Sequence, residues 1–73
     1  MMMSWKTISE YHSNDKSKKA ILNVDLKACY YFIDFYLNEV YTNSISYPEK
    51  SINFAQEAAE NYCNGLLDVS KTA

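Results

Sequence analysis

Ser9, His12, Ser13 and Asp15 are the residue types of a nucleophile, a base and an orienting carboxylate, and they crowd one short segment near the N-terminus. Side chains of a single strand or loop point apart and cannot converge on one reacting atom, so this segment reads as a polar turn and not as a catalytic triad. Glu57, Glu60 and Asn61 offer the oxygen ligands of a hard cation, but exposed polar groups on one helix face are the solvated side of an amphipathic helix. One His and two isolated Cys lack the C-x2-C or H-x3-H spacing of a zinc site. The chain has one Gly, Gly65, so it has no glycine-rich phosphate cradle. No catalytic residue, cofactor or metal is expected.

Positive charge gathers locally at Lys16, Lys18 and Lys19, inside the polar stretch His12 to Lys19. Those three lysines are the candidate phosphate contacts, although such a run is ordinarily a solvated turn. Net charge is −2 and the isoelectric point is near 5.2. The molecule as a whole therefore does not attract a phosphate backbone, and nucleic acid is the minor hypothesis. No apolar run is long enough to span a bilayer. The first residues carry no secretory signal, so a reducing, cytoplasmic setting is expected, with Cys29 and Cys63 as small core residues and not a disulfide.

At 73 residues the chain makes one small domain that buries only about 60% of its unfolded surface. Ordered structure is expected over about residues 4–67, with a polar tail at 68–73. Trp5 to Tyr11 is rich in β-formers. Ala20 to Leu26 alternates Ala20, Leu22, Val24 and Leu26 on one side with Ile21, Asn23 and Asp25 on the other, the period of a half-buried strand. Together these two segments read as a hairpin.

Residues 28–47 decide the fold class. As a helix, they extend a stripe of Leu22, Leu26, Cys29, Ile33, Tyr36 and Val40, with Lys27, Tyr31, Asp34 and Asn38 on a polar face. As two strands, they turn at Asn38-Glu39 and pair Leu37 with Val40, Phe35 with Thr42 and Ile33 with Ser44. The other side then carries Tyr30, Phe32, Asp34 and Tyr36 opposite Tyr41, Asn43, Ile45 and Tyr47. The crowding of Tyr, Phe and Ile favours strands. The expected fold is α+β, a four-stranded antiparallel meander packed by one C-terminal helix, with an all-α helical hairpin as the alternative. That helix, at about residues 51–65, has a stripe of Ile52, Ala55, Ala59, Tyr62, Cys63 and Leu66, a Ser51 cap and a Gly65 stop.

The stretch from Asp34-Phe35-Tyr36-Leu37-Asn38, through Tyr47-Pro48-Glu49-Lys50-Ser51, to Phe54-Ala55-Gln56-Glu57-Ala58-Ala59-Glu60-Asn61-Tyr62-Cys63-Asn64-Gly65 resembles small tailed-phage accessory proteins of cyanophage type. Those end in a strand, a Ser-capped turn and an AE-x-AAEN-x-x-x-G helix. The likeness covers the C-terminal half, and its features are structural. This chain has Gln56 and Glu57 where those proteins tend to have Asp and Glu. The resemblance implies a viral accessory protein that acts by binding host or virion components in the host cell cytoplasm, and it transfers no catalytic residue.

Seven Tyr, three Phe and one Trp exceed what so small a core can hide. With the helix on Ile33, Phe35, Leu37 and Val40, the residues Tyr30, Tyr36, Tyr41 and Tyr47 are expected to line the opposite face as an interaction surface. The expected function is a non-enzymatic protein-interaction module that binds a host protein or a second copy of itself, at least dimeric at micromolar concentration. A virion accessory protein is one alternative. A single-stranded nucleic-acid binder, with Tyr rings as stacking platforms and Lys16, Lys18 and Lys19 on the backbone, is another.

Overall fold

A computed structural model describes residues 4–66, and the tail expected at 68–73 lies outside them. The order of elements is β1 (Trp5–His12), β2 (Lys18–Asp25), β3 (Tyr30–Leu37), β4 (Val40–Tyr47) and α1 (Ile52–Cys63). The strands form one antiparallel sheet in the order β1-β2-β3-β4. The α+β meander is therefore the fold, and the helical hairpin is not.

Each turn has a local chemical cause. Between β1 and β2, the Asp15 carboxylate accepts hydrogen bonds from Ser13 Oγ (2.8 Å), Ser17 N (3.0 Å) and Ser17 Oγ (2.8 Å). Those bonds, led by the Ser17 N–H, favour the charged form and hold the Asp15 pKa at about 2, below the usual 3.8. The bonds are complete above the usual value and are lost only as pH falls through about 2. This turn is shorter than the sequence suggested, because Lys18 and Lys19 already belong to β2. Between β2 and β3, Asp25 Oδ1 accepts from Lys27 N (2.9 Å) and Ala28 N (2.8 Å). Cys29 closes that turn at φ 62° and is exposed, which corrects its assignment to the core. Both cysteines are free.

Asn38 and Glu39 make a two-residue turn with φ of 52° and 68°, the type I′ geometry whose twist matches the flanking strands. Asn38 tolerates it; Glu39 has a Cβ where glycine is preferred. Glu39→Gly is expected to stabilise the chain by about 0.5–1 kcal/mol, since relief of left-handed strain exceeds glycine's entropy cost. A thermal midpoint raised by a few degrees would show it, and a lowered midpoint would count against it.

The helix begins as expected, with Phe54 N donating to Ser51 Oγ at 3.3 Å. It stops through a Schellman motif: Leu66 N donates to the Asn61 carbonyl (2.8 Å) and Gly65 N to the Tyr62 carbonyl (3.1 Å). Gly65 takes φ 80° there. Gly65→Val is expected to cost more than about 1 kcal/mol, because a β-branched residue is strained at that φ. An unchanged denaturation midpoint would place the stop elsewhere. Leu66 lies past the stop and is exposed, so it does not extend the buried stripe.

One sheet face packs on α1. Ala20 and Leu22 of β2, Ile33 and Phe35 of β3, and Ala55 and Ala59 of α1 are fully buried, joined by Tyr62 and Cys63. The two alanines let the helix approach the sheet closely. Phe35 and Tyr62 meet edge to face with centroids 4.8 Å apart, and Tyr62 OH donates to the Tyr36 carbonyl at 2.8 Å. Burial raises the pKa of the Cys63 thiol, which points at the Lys18 carbonyl. Leu37 and Val40, expected beneath the helix, lie at the hairpin tip and are exposed.

Two β-bulges interrupt the ladders. Ile8 bulges from β1 between the pairs Thr7↔Asn23 and Ser9↔Leu22. Thr42 bulges from β4 between Tyr36↔Tyr41 and Phe35↔Asn43, and its Oγ1 donates to the Phe35 carbonyl at 2.9 Å. An inserted residue reverses the alternation beyond it. Asn43, Ile45 and Tyr47 therefore share the helix-covered face with Phe35, Ile33 and Tyr31, while Ser44 and Ser46 join Asp34 and Phe32 on the other.

Candidate interaction face

The sheet face away from α1 is assembled by strand alternation from all four strands, and no element covers it among the described residues. At one end Trp5 meets Phe32 edge to face, centroids 6.1 Å apart, and Tyr30 lies 6.2 Å from Phe32. At the other end Tyr36 and Tyr41 are directly paired, with rings 5.7 Å apart at 71°. Lys19 Nζ stands 4.6 Å above the Tyr36 ring, a cation–π contact that also fixes the ring.

Between these aromatic ends runs a polar chain that crosses the whole sheet. Thr7 Oγ1 donates to Asn23 Oδ1 at 2.9 Å. The Asn23 amide donates to the Ile21 carbonyl (3.1 Å) and to Asp34 Oδ2 (3.2 Å). Ser44 Oγ donates to Asp34 Oδ1, and Tyr41 OH and Ser44 Oγ share a bond of 2.9 Å. Asn23 is fully buried, so each bond it makes offsets a desolvation cost of roughly 1–3 kcal/mol. Among the described residues no buried side-chain nitrogen or oxygen lacks a partner. A satisfied network of this kind holds one arrangement of the face and presets its aromatic ends.

No family model, curated protein or solved structure matches this chain. What the face can do rests on its own geometry. Tyr30, Tyr36 and Tyr41 are on it, as the sequence suggested. Tyr47 is not. The Thr42 bulge turns Tyr47 to the helix side, where its ring lies 5.6 Å from Phe54 and burial raises its phenol pKa. Asn43, expected on the open side, is turned inward with it.

The three lysines do not gather. Lys16 lies in the first turn at φ 63°, Lys18 leans over the Tyr62 ring on the helix side at 5.5 Å, and Lys19 alone reaches the open face. That face also carries the carboxylates of Glu10, Asp25 and Asp34 through the pairs Glu10↔Ile21, Trp5↔Asp25 and Ile21↔Asp34.

The segment of Ser9, His12, Ser13 and Asp15 builds no convergent site. His12 Nε2 lies 3.5 Å from Glu10 Oε1, Ser13 bonds to Asp15 within the turn, and Ser9 lies on the helix side beside Tyr11. No cluster of three His, Cys, Asp or Glu able to hold a metal occurs among the described residues. No helix of the described residues is long and apolar enough to cross a membrane.

Sequence reasoning missed Trp5, Thr7 and Ser44 as parts of the face. One signal was available: Asn23 sits mid-strand in an alternating pattern whose outward side includes Ile21. A buried amide in such a place requires partners from neighbouring strands.

Proposed function

We propose that this chain is a non-enzymatic interaction module whose uncovered sheet face docks a partner protein. One observation carries the reading: Trp5, Tyr30, Phe32, Tyr36 and Tyr41 surround a hydrogen-bonded polar chain on a face that no element covers among the described residues. Aromatic rings with polar tips, held rigidly, give much contact area for little lost entropy. Among the described residues the face carries the carboxylates of Glu10, Asp25 and Asp34 and the ammonium of Lys19, a balance that favours a partner surface presenting Arg or Lys. The resemblance of the C-terminal half to tailed-phage accessory proteins supports a host protein, met in the host cytoplasm, as that partner.

The same charge balance weighs against single-stranded nucleic acid, which needs cations beside its stacking rings. Capture on immobilised protein tests the reading by comparing the wild type with a Tyr36→Ser/Tyr41→Ser variant of equal fold. A host protein held by the first and released by the second supports it. Retention of an oligonucleotide that weakens steeply with added salt would replace it with the nucleic-acid reading. Co-purification with particles alone would replace it with the virion reading.

A further inference from the structure

The two outer strands of the sheet are unlike each other. β1 carries Lys6, Glu10 and His12 and is interrupted at its middle by the Ile8 bulge, two of the devices by which edge strands resist pairing with other chains. β4 reads Val-Tyr-Thr-Asn-Ser-Ile-Ser-Tyr, with no charge in eight residues. Its bulge lies near its start, so Asn43 to Tyr47 forms a regular stretch in ladder with β3. Among the described residues β4 is the end strand of the sheet, and no further strand pairs with its outer edge.

The sequence of that edge selects its occupant. Two copies of one strand that pair antiparallel about a twofold axis read the strand against its own reverse. Ser44-Ile45-Ser46 is symmetric about Ile45, and the flanking Asn43 and Tyr47 are both uncharged. With the axis at Ile45, the two isoleucines meet on the helix side, Asn43 meets Tyr47, and on the open side Ser44 meets Ser46. Small hydroxyl side chains stand opposite one another there, and no like charges are opposed. A groove of about 380 Å³ lined by Tyr47, Phe54, Glu57, Ala58 and Asn61 opens on the helix side, with Phe54 46% exposed. The pairing sets the two copies' grooves side by side across the axis.

We propose that β4 pairs with β4 of a second copy about a twofold axis at Ile45, making an eight-stranded sheet whose open faces join. The paired stretch is Asn43 to Tyr47, which leaves out Tyr36 and the Tyr41 start of β4, and the proposal does not depend on the docking reading. The contact is one strand long, at the small end of specific interfaces.

Sedimentation equilibrium of the full chain in reductant, across low to high micromolar concentration, should fit a monomer–dimer equilibrium. Ser46→Lys puts a charge on the edge and is expected to weaken the dimer by about tenfold or more, with an unchanged circular dichroism spectrum. Tyr36→Ser/Tyr41→Ser should leave the dimer intact. A second variant, Cys29→Ser/Ile45→Cys, should form a disulfide-linked dimer on mild oxidation, because directly opposed residues lie within disulfide reach. A monomer throughout the range, or a dimer that resists Ser46→Lys and fails to cross-link at position 45, overturns the proposal. So does a dimer lost in the Tyr36/Tyr41 variant while the fold survives.

Discussion

Phe35→Ala is expected to remove most of the stability of this chain. The ring is fully buried between β2, β4 and the helix, and it meets Tyr62 edge to face at 4.8 Å. Truncating a buried Phe costs about 3–5 kcal/mol, part lost transfer energy and part cavity. A domain of 73 residues has roughly 4–11 kcal/mol in all, and small domains sit at the low end. The melting midpoint should therefore fall by about 15–30 °C, or the cooperative transition should vanish at room temperature.

The same substitution separates the two folds that the sequence allowed. In the helical reading the buried stripe runs through Ile33, Tyr36 and Val40, so Phe35 is off it and Val40 is on it. In the sheet Phe35 is buried and Val40 is 64% exposed. Val40→Ala should cost well under about 1 kcal/mol. A Phe35→Ala variant that melts within a few degrees of the wild type, or a Val40→Ala variant that collapses, would contradict the sheet.

The strands were legible because β2 and β3 alternate cleanly and because Asn38 sits where a tight turn needs positive φ. Helix ends were legible from Ser51 and Gly65, whose capping chemistry is local. What failed was non-local. Thr42 carries no glycine or proline to announce a bulge, yet one inserted residue inverts every side chain after it. That single feature moved Tyr47 and Asn43 inward and brought Ser44 beside Asp34.

Cys29 shows the converse limit. A small apolar residue between two apolar strands resembles core, but Asp25 caps the preceding turn and leaves Cys29 as its left-handed last residue. Lys18 and Lys19 were assigned to a loop by composition. Asp15 closes that loop early by taking three hydrogen bonds, and the lysines enter the strand on opposite faces.

Changing Tyr36 and Tyr41 together to Ser is expected to leave the chain folded and to weaken partner binding by on the order of 2 kcal/mol or more, roughly thirtyfold. The fold should survive because both rings point away from the helix. Tyr36 touches Tyr41 and Lys19, and its carbonyl, which accepts from Tyr62 OH, is unaffected by the side chain. Tyr41 is 53% exposed and loses one surface bond to Ser44. The Asn23 to Asp34 bonds in the centre remain. The stability cost should then be the lower β-propensity of Ser, up to about 1 kcal/mol per site. Binding suffers more because both rings leave together and the Lys19 ammonium loses the ring beneath it. The measurement is a titration of captured partner against wild type and variant, each first shown folded by circular dichroism. A variant that unfolds would make these rings part of the core. A folded variant that binds as before would move the working surface to the other side of the molecule, where Glu57, Glu60 and Asn61 lie on α1.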